Sequence, residues 1–245
     1  MKYCDAHCHL ADLSHVMTIP DLVKEAADHD ITRFLSSALR KEDLAWYESN
    51  ADDPTILYSA GIHPFFDPCD LEYGDIARLC QEAKIWAIGE IGLDKGNPEY
   101  AVMKTNFVKQ LDLAMDHRLP VVLHIVGYQQ EAYDILKAYP LRYLFHGYAG
   151  SIEAFRQFMK LDSYFTISSR ILKEDKRELL LEMLKSRRFL LETDITQYYV
   201  SEGEANPLLR LEALVEEISR LFGVSESVLQ RIQATNYQLL TGRDI

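Results

Sequence analysis

Eight short apolar runs recur along this sequence, separated by longer amphipathic segments. The runs are Lys2–His7, Arg33–Ser37, Thr55–Ala60, Ile85–Glu90, Val121–Ile125, Tyr143–His146, Tyr164–Ile167 and Arg188–Thr193. Their near-continuous apolar character suits strands covered on both faces, where neither side meets water. The intervening segments carry helix punctuation. Pro20 occupies a first-turn position ahead of DLVKEAADHD. Asn206-Pro207 opens LLRLEALVEEISRLF, in which Leu208, Leu211, Leu214, Val215, Ile218 and Phe222 form one stripe and Gly223 is placed to end the helix. Ser151 and Ser225 stand where N-caps belong, the latter before a last helix running to about Leu239. This alternation predicts an α/β fold, a single (β/α)8 TIM-type barrel over residues 1–245. A doubly wound open sheet is the alternative, but that fold carries a glycine-rich loop after its first strand. Here His-Cys-His-Leu follows instead.

Composition narrows the classes of function. The 245 residues are 48% apolar and 26% charged, ordinary for a globular chain with an ample core. A formal charge of -12 argues against a broad basic surface for nucleic acid phosphates. A phosphate ester remains open as a substrate, because bound divalent ions supply positive charge locally. The N-terminal MKYCDAHCHL lacks the pattern of a signal peptide, and no apolar run approaches the ~18 residues of a membrane span. Cys4, Cys8, Cys69 and Cys80 have no disulfide-framework spacing, so reduced thiols in a cytoplasmic protein are expected.

Chemistry is concentrated where the predicted strands end. In extended chain, Asp5, His7 and His9 share one face and Cys4, Ala6 and Cys8 the other. Two imidazoles on one face suit a divalent metal, and the adjacent carboxylate can orient one of them. An HxH pair alone is also compatible with two unrelated surface histidines. Position adds weight: His63 follows the third run, Glu90 ends the fourth, His124 lies at the end of the fifth beside Ile125, His146 ends the sixth, and Asp194 follows the eighth. Barrel strands converge at these ends on one mouth, where active sites form. His15, His29 and His117 fall in loops or helices and carry no such signal.

Four imidazoles and two carboxylates can hold two divalent ions if one carboxylate bridges. Glu90, from a middle strand with donors on either side, is the expected bridge. Asp194 is expected to bind one ion and to orient or deprotonate the attacking water. These donors accept Zn²⁺, Mn²⁺, Fe²⁺ or Mg²⁺, although four imidazoles disfavour Mg²⁺ alone. His63, in Gly61-Ile62-His63-Pro64, is either a substrate contact or a turn histidine fixed by Pro64.

Taken together, DAHCHL, GIHP at Gly61–Pro64, GEIGLD at Gly89–Asp94, PVVLH at Pro120–His124, HGYAG, and ETD at Glu192–Asp194 resemble the TatD family of metal-dependent deoxyribonucleases over nearly the whole chain. Asn236 fits the asparagine that closes the family pattern. The resemblance implies a TIM-type barrel with one to three divalent ions. It implies one ion on His7, His9, Glu90 and Asp194, a second on Glu90, His124 and His146, and His63 against the scissile phosphate. It also implies phosphodiester hydrolysis, often at DNA 3′ ends, with Asp94 behind the ligands or on the substrate side.

The chain departs from that family beyond the ligands. Lys95-Gly96 replaces the usual aromatic pair after GLD, and Ile125-Val126-Gly127 replaces a Ser-Arg pair after the fifth-strand histidine. Ile195-Thr196-Gln197-Tyr198-Tyr199 and an acidic stretch over Ser201–Ala205 replace a proline and a basic loop. Tyr128, Tyr198 and Tyr199 are either base-stacking replacements or ordinary loop aromatics. The leading expectation is a two-metal phosphodiesterase or deoxyribonuclease acting on a phosphoester. The alternatives are a metal-dependent hydrolase of small amides, lactones or phosphomonoesters, and a non-catalytic metal-binding barrel.

Overall fold

The computed structural model describes residues 2–245. The eight strands are β1 (Tyr3–Cys8), β2 (Ile31–Ala38), β3 (Ile56–Ala60), β4 (Ala87–Asp94), β5 (Val121–Val126), β6 (Arg142–Phe145), β7 (Asp162–Ile167) and β8 (Phe189–Leu191). They pair in parallel in chain order, and β8 closes on β1, giving the expected (β/α)8 barrel. Around it lie α1 (Leu10–Leu13), α2 (Ile19–Asp28), α3 (Lys41–Ser49), α4 (Tyr73–Gln81), α5 (Tyr100–His117), α6 (Gln129–Leu136), α7 (Ile152–Phe158), α8 (Arg177–Ser186), α9 (Arg210–Phe222) and α10 (Glu226–Thr241). Among the described residues, no helix is long and apolar enough to cross a membrane.

Local signals act largely as their chemistry dictates. The Ser151 hydroxyl accepts the Ala154 N–H and starts α7, and Gly223 ends α9 at φ 65°. Leu211, Leu214, Val215 and Ile218 bury the stripe of α9. That helix starts later than the sequence suggested, because Pro207–Leu209 first form a short 3-10 turn. Ser225 precedes α10 without a side-chain cap; its hydroxyl lies 3.2 Å from that of Ser227. Asn236 donates to the carbonyls of Arg187 (2.8 Å) and Phe189 (2.7 Å), fastening α10 to the entrance of β8.

A second, smaller apolar cluster draws on every strand: Cys4 and Ala6, Leu35, Leu57, Ala87, Val122, Leu144, Tyr164 and Leu190, with Tyr237 and Leu240 of α10. A set shared by all strands of a closed barrel fills its interior, as the packed cores of such barrels require. The polar site is therefore seated on a solid floor.

Two strand expectations need correction. Glu90 is not the last residue of its strand: β4 continues to Asp94 and pairs with β5 through Gly92 with His124 and Asp94 with Val126. The register slips between Ile88 and Ile91, and a Cβ on Gly92 (φ 150°) would strike the His124 carbonyl. Glycine lets β4 press onto β5 here, and the slip sets Glu90 within the strand. The simple alternation expected for β1 also fails. Its register shifts between Asp5 and Cys8, and His9 lies beyond the strand at the start of α1.

Candidate metal centre

The side chains of His7, His9, His63, Glu90, His124, His146 and Asp194 meet at one end of the barrel. Glu90 is 2% exposed and stands at their centre. Its Oε1 lies 3.3 Å from His7 Nε2 and 3.4 Å from His9 Nε2. Asp194 Oδ1 closes that group, 3.7 Å from His7 Nε2 and 3.4 Å from His9 Nε2. Its Oε2 faces other partners: His146 Nε2 at 2.6 Å, His63 Nε2 at 3.5 Å and His124 Nδ1 at 3.6 Å. One carboxylate thus presents a separate oxygen to each of two histidine groups.

The hydrogen bonds on the far side of each ring distinguish donors of a lone pair from donors of a proton. His9 Nδ1 lies 2.9 Å from the Ser37 carbonyl, so that nitrogen carries hydrogen, and once the ring gives up its second proton the lone pair is on Nε2, toward Glu90 and Asp194. His124 Nε2 lies 2.8 Å from Asp94 Oδ2, leaving the Nδ1 lone pair toward Glu90 and His146. His63 has the opposite arrangement. Its Nδ1 accepts the Phe65 N–H (2.9 Å) and the Phe66 N–H (2.8 Å), so in the neutral ring Nε2 carries the hydrogen. That ring offers a proton, not a lone pair, to the mouth.

Asp5 does not orient either histidine, contrary to the sequence expectation. Its carboxylate accepts the Thr193 N–H (3.0 Å) and hydroxyl (2.5 Å), tying β1 to the exit of β8. Burial pushes it up to about 7 despite those bonds. Ser37 of β2 does the orienting instead, a backbone contact that no side-chain pattern signals. Asp194 has φ 53°, a left-handed conformation that short polar side chains tolerate, and its N–H donates to the His7 carbonyl (2.9 Å).

Electrostatics matches the geometry. Burial opposes charge on Glu90, yet His146, His7 and His63 hold its carboxyl well below the usual range. Burial likewise opposes ionisation of Asp194, and the bond from His9 with the charges of His146 and His7 overcomes it. His9 is raised to about 9: burial lowers it, but the Asp194 hydrogen bond and the Glu90 charge outweigh that. Against the same burial, Asp94 and Glu90 raise His124 to about 9. Burial pushes His146 down to about 4 and also lowers His63.

This donor set fits divalent ions. Buried His7 Nε2, Glu90 Oε1 and His146 Nδ1 have no hydrogen-bond partner, an arrangement costly without a cation or other partner. Ligand atoms lie mutually within 4.8 Å in three sets: His7, His9 and Asp194; His7, Glu90 and His146; His63, Glu90 and His124. The tautomer of His63 counts against its use as a ligand in the third.

Above this floor lies a cavity of about 360 Å³, walled by Phe65, Phe66, Arg170, Thr196, Tyr198 and Tyr199. Tyr198 and Tyr199 are on it; Tyr128 is not, and its ring instead sits 5.2 Å from that of Tyr100. Sequence reading overlooked Asp12. This buried carboxylate accepts the Gln197 N–H and Nε2–H, both at 2.8 Å, and pairs with Arg40 at 3.2 Å. It anchors the loop that carries both tyrosines. It overlooked Arg170 as well, whose Nη1 lies 2.5 Å from Asp194 Oδ2. His15 and His29 pair with Glu42 (3.5 Å) and Glu212 (3.0 Å) at the surface, and neither lines the cavity.

Known proteins share this architecture and sequence pattern. An uncharacterized metal-dependent hydrolase of Methanocaldococcus jannaschii is 27% identical over 90% of this chain and 89% of its own. Deoxyribonuclease Tat-D of Schizosaccharomyces pombe is 27% identical over 56% of this chain and 50% of its own. The crystal structure of YjjV, a TatD homologue of Escherichia coli, superposes with a TM-score of 0.82 at 21% identity, covering 98% of both chains. The family profile described as TatD related DNase matches residues 4–242, and with it this chain belongs to the TatD family of metal-dependent hydrolases.

Proposed function

We propose that the chain is a phosphodiesterase of the deoxyribonuclease type. In this reading, two divalent ions share Glu90. One is held by His7, His9, Glu90 and Asp194, the other by Glu90, His124 and His146. The observation that carries it is the division of Glu90: Oε1 faces His7 and His9, while Oε2 faces His124 and His146. Bound there, such ions would lower the pKa of a water and polarise a phosphoryl oxygen. Zn²⁺ and Mn²⁺ suit a set rich in imidazole better than Mg²⁺ alone.

The chain's own groups supply the rest. Ser37 and Asp94 fix the tautomers of His9 and His124, so both rings present lone pairs without reorientation. Asp194, beside His9 at the floor of the cavity, would orient the attacking water or take up its proton. His63, which lines the cavity with Nε2 3.5 Å from Glu90 Oε2, would donate its Nε2–H to a non-bridging phosphate oxygen, where negative charge develops. Burial keeps that ring neutral, so the donation leaves its tautomer unchanged.

The test is hydrolysis of short single-stranded DNA and of bis-p-nitrophenyl phosphate by metal-loaded protein and by Glu90→Gln. Cleavage that requires added metal and disappears in the variant is expected. Absence of cleavage with Zn²⁺, Mn²⁺, Co²⁺ and Mg²⁺ would sink the reading. One observation favours a second reading, a hydrolase of small esters, amides or lactones: the mouth is a 360 Å³ cavity with aromatic walls, not a basic groove. Faster turnover of neutral small esters than of any nucleotide would establish it.

A further inference from the structure

Arg170 stands apart from the other cations near the mouth. It lies on the 3-10 turn Ser169–Ile171 that follows β7, and Ile171, 2% exposed, pins that turn to the core. Among the residues lining the cavity above Glu90, it is the one arginine or lysine. It also lines a neighbouring cleft of about 670 Å³, so it forms part of the wall between the two. The other nearby arginines are occupied by acids with no place among the metal donors. Arg40 is held by Asp12 (3.2 Å) and Glu42 (2.9 Å), and Arg210 by Glu204 through Nε (2.7 Å) and Nη2 (2.5 Å). Arg170 has Asp194 as its carboxylate partner, and it meets Oδ2 while Oδ1 faces His7 and His9.

A guanidinium carries five N–H donors in a fixed fork. One Nη1–H points at Asp194, and the side chain is 52% exposed, so the remaining edge is open to solvent. The guanidinium lies 5.0 Å from the centroid of the Tyr199 ring, which limits its swing without using its in-plane donors. An arginine so placed can bond the carboxylate that belongs to the metal centre and, at the same time, an anionic oxygen in the cavity. Arginine is suited to this because its fork matches phosphate and carboxylate geometry.

The geometry points to Arg170 as the residue that binds the non-reacting anionic oxygen of the substrate, which narrows the substrate class to phosphodiesters gripped at a single phosphate, such as a DNA end, or other esters bearing a negative charge beside the cleaved bond. The inference rests on the proposed metal-dependent hydrolysis and narrows it. A single arginine above the floor grips one anionic group, whereas a polymer backbone needs a row of them.

Calorimetric titration of inorganic phosphate into zinc-loaded protein, with metal content measured on the same samples, tests it. Wild type, Arg170→Ala and Arg170→Lys are compared. Loss of one charged hydrogen-bond donor set is expected to weaken phosphate binding in Arg170→Ala by roughly 10- to 100-fold. Zinc stoichiometry should be unchanged, and Arg170→Lys should recover part of the affinity. On bis-p-nitrophenyl phosphate, the same variant should raise KM more than it lowers kcat. Equal phosphate affinity in Arg170→Ala overturns the inference. So does loss of zinc together with phosphate, since Arg170 would then serve only to position Asp194. Phosphate binding that depends on Arg170, without hydrolysis of any phosphoester, sustains the anion site and refutes the phosphodiesterase reading alone.

Discussion

The floor of the barrel mouth and its rim differ in where their side chains come from. Floor groups leave strands or the residues immediately after them: His7 on β1, Glu90 on β4, His124 on β5, His146 after β6. Glu90 and His7 are 2% and 1% exposed, and barrel closure fixes their directions. The rim comes from loops. Phe65, Tyr198 and Tyr199 are 53%, 66% and 54% exposed, and Arg170 sits on a single short turn. The floor therefore retains its chemistry as long as the barrel closes, whereas the rim can change partner by partner.

Substitutions on the two sides should separate in kind as well as size. Glu90→Ala is expected to have the largest effect, since it removes the one group shared by both histidine sets. A metal contribution of several kcal/mol corresponds to a loss of roughly three powers of ten in rate, with metal lost as well. Rate and elemental analysis on one sample check it, and a variant that keeps both ions would break the contrast. His63→Ala should lower kcat by about 10²-fold with metal content intact, as removal of a donor to developing charge does. If it strips metal instead, His63 belongs to the floor as a ligand. Asp94→Ala should weaken metal binding or activity by about 10- to 100-fold, because the orienting partner of His124 is gone. Equilibrium dialysis against a zinc indicator reads this directly.

The contrast also has a pH signature. In metal-free protein the folded pKa of His9 and of His124 is raised to about 9, above the ordinary histidine value of 6.5. The stability these groups contribute is therefore fully present below pH 6.5 and is lost as pH rises through about 9. Metal-free protein should lose thermal stability over that window. Apparent zinc affinity should rise over it, by about tenfold per pH unit for each proton displaced. Flat melting temperatures from pH 6.5 to 9 without metal would contradict this. The smallest effect belongs to the rim. Tyr199→Ala removes an exposed cation–π contact worth about 0.5–1 kcal/mol, so KM should change by only a few-fold.

Much of the floor was legible because apolar runs and their terminal polar residues obey a short-range rule. Strand β3 and the donors His124 and His146 follow from it. The interior position of Glu90 was less legible. The two glycines of GEIGLD signal a close approach, but the register slip that accompanies it depends on β5. Asp5 misled, since residues two apart share a face only while a strand stays regular. Ser37 orients His9 through its backbone carbonyl, which leaves no mark on residue type, while its hydroxyl lies 3.5 Å from His7 Nδ1. Asp12 and Arg170 were invisible for a different reason: each gains its role from a loop 185 and 24 residues away along the chain. Loop contacts of that kind arise only once the barrel has brought the ends together.

In the proposed reading, Glu90 joins two ions into one hydrolytic centre. Metal-free protein titrated with zinc while bis-p-nitrophenyl phosphate hydrolysis is followed tests this most directly. Activity should stay low through the first equivalent, rise with the second and level off at two ions per chain. Full activity at one equivalent, or none at two, would contradict it.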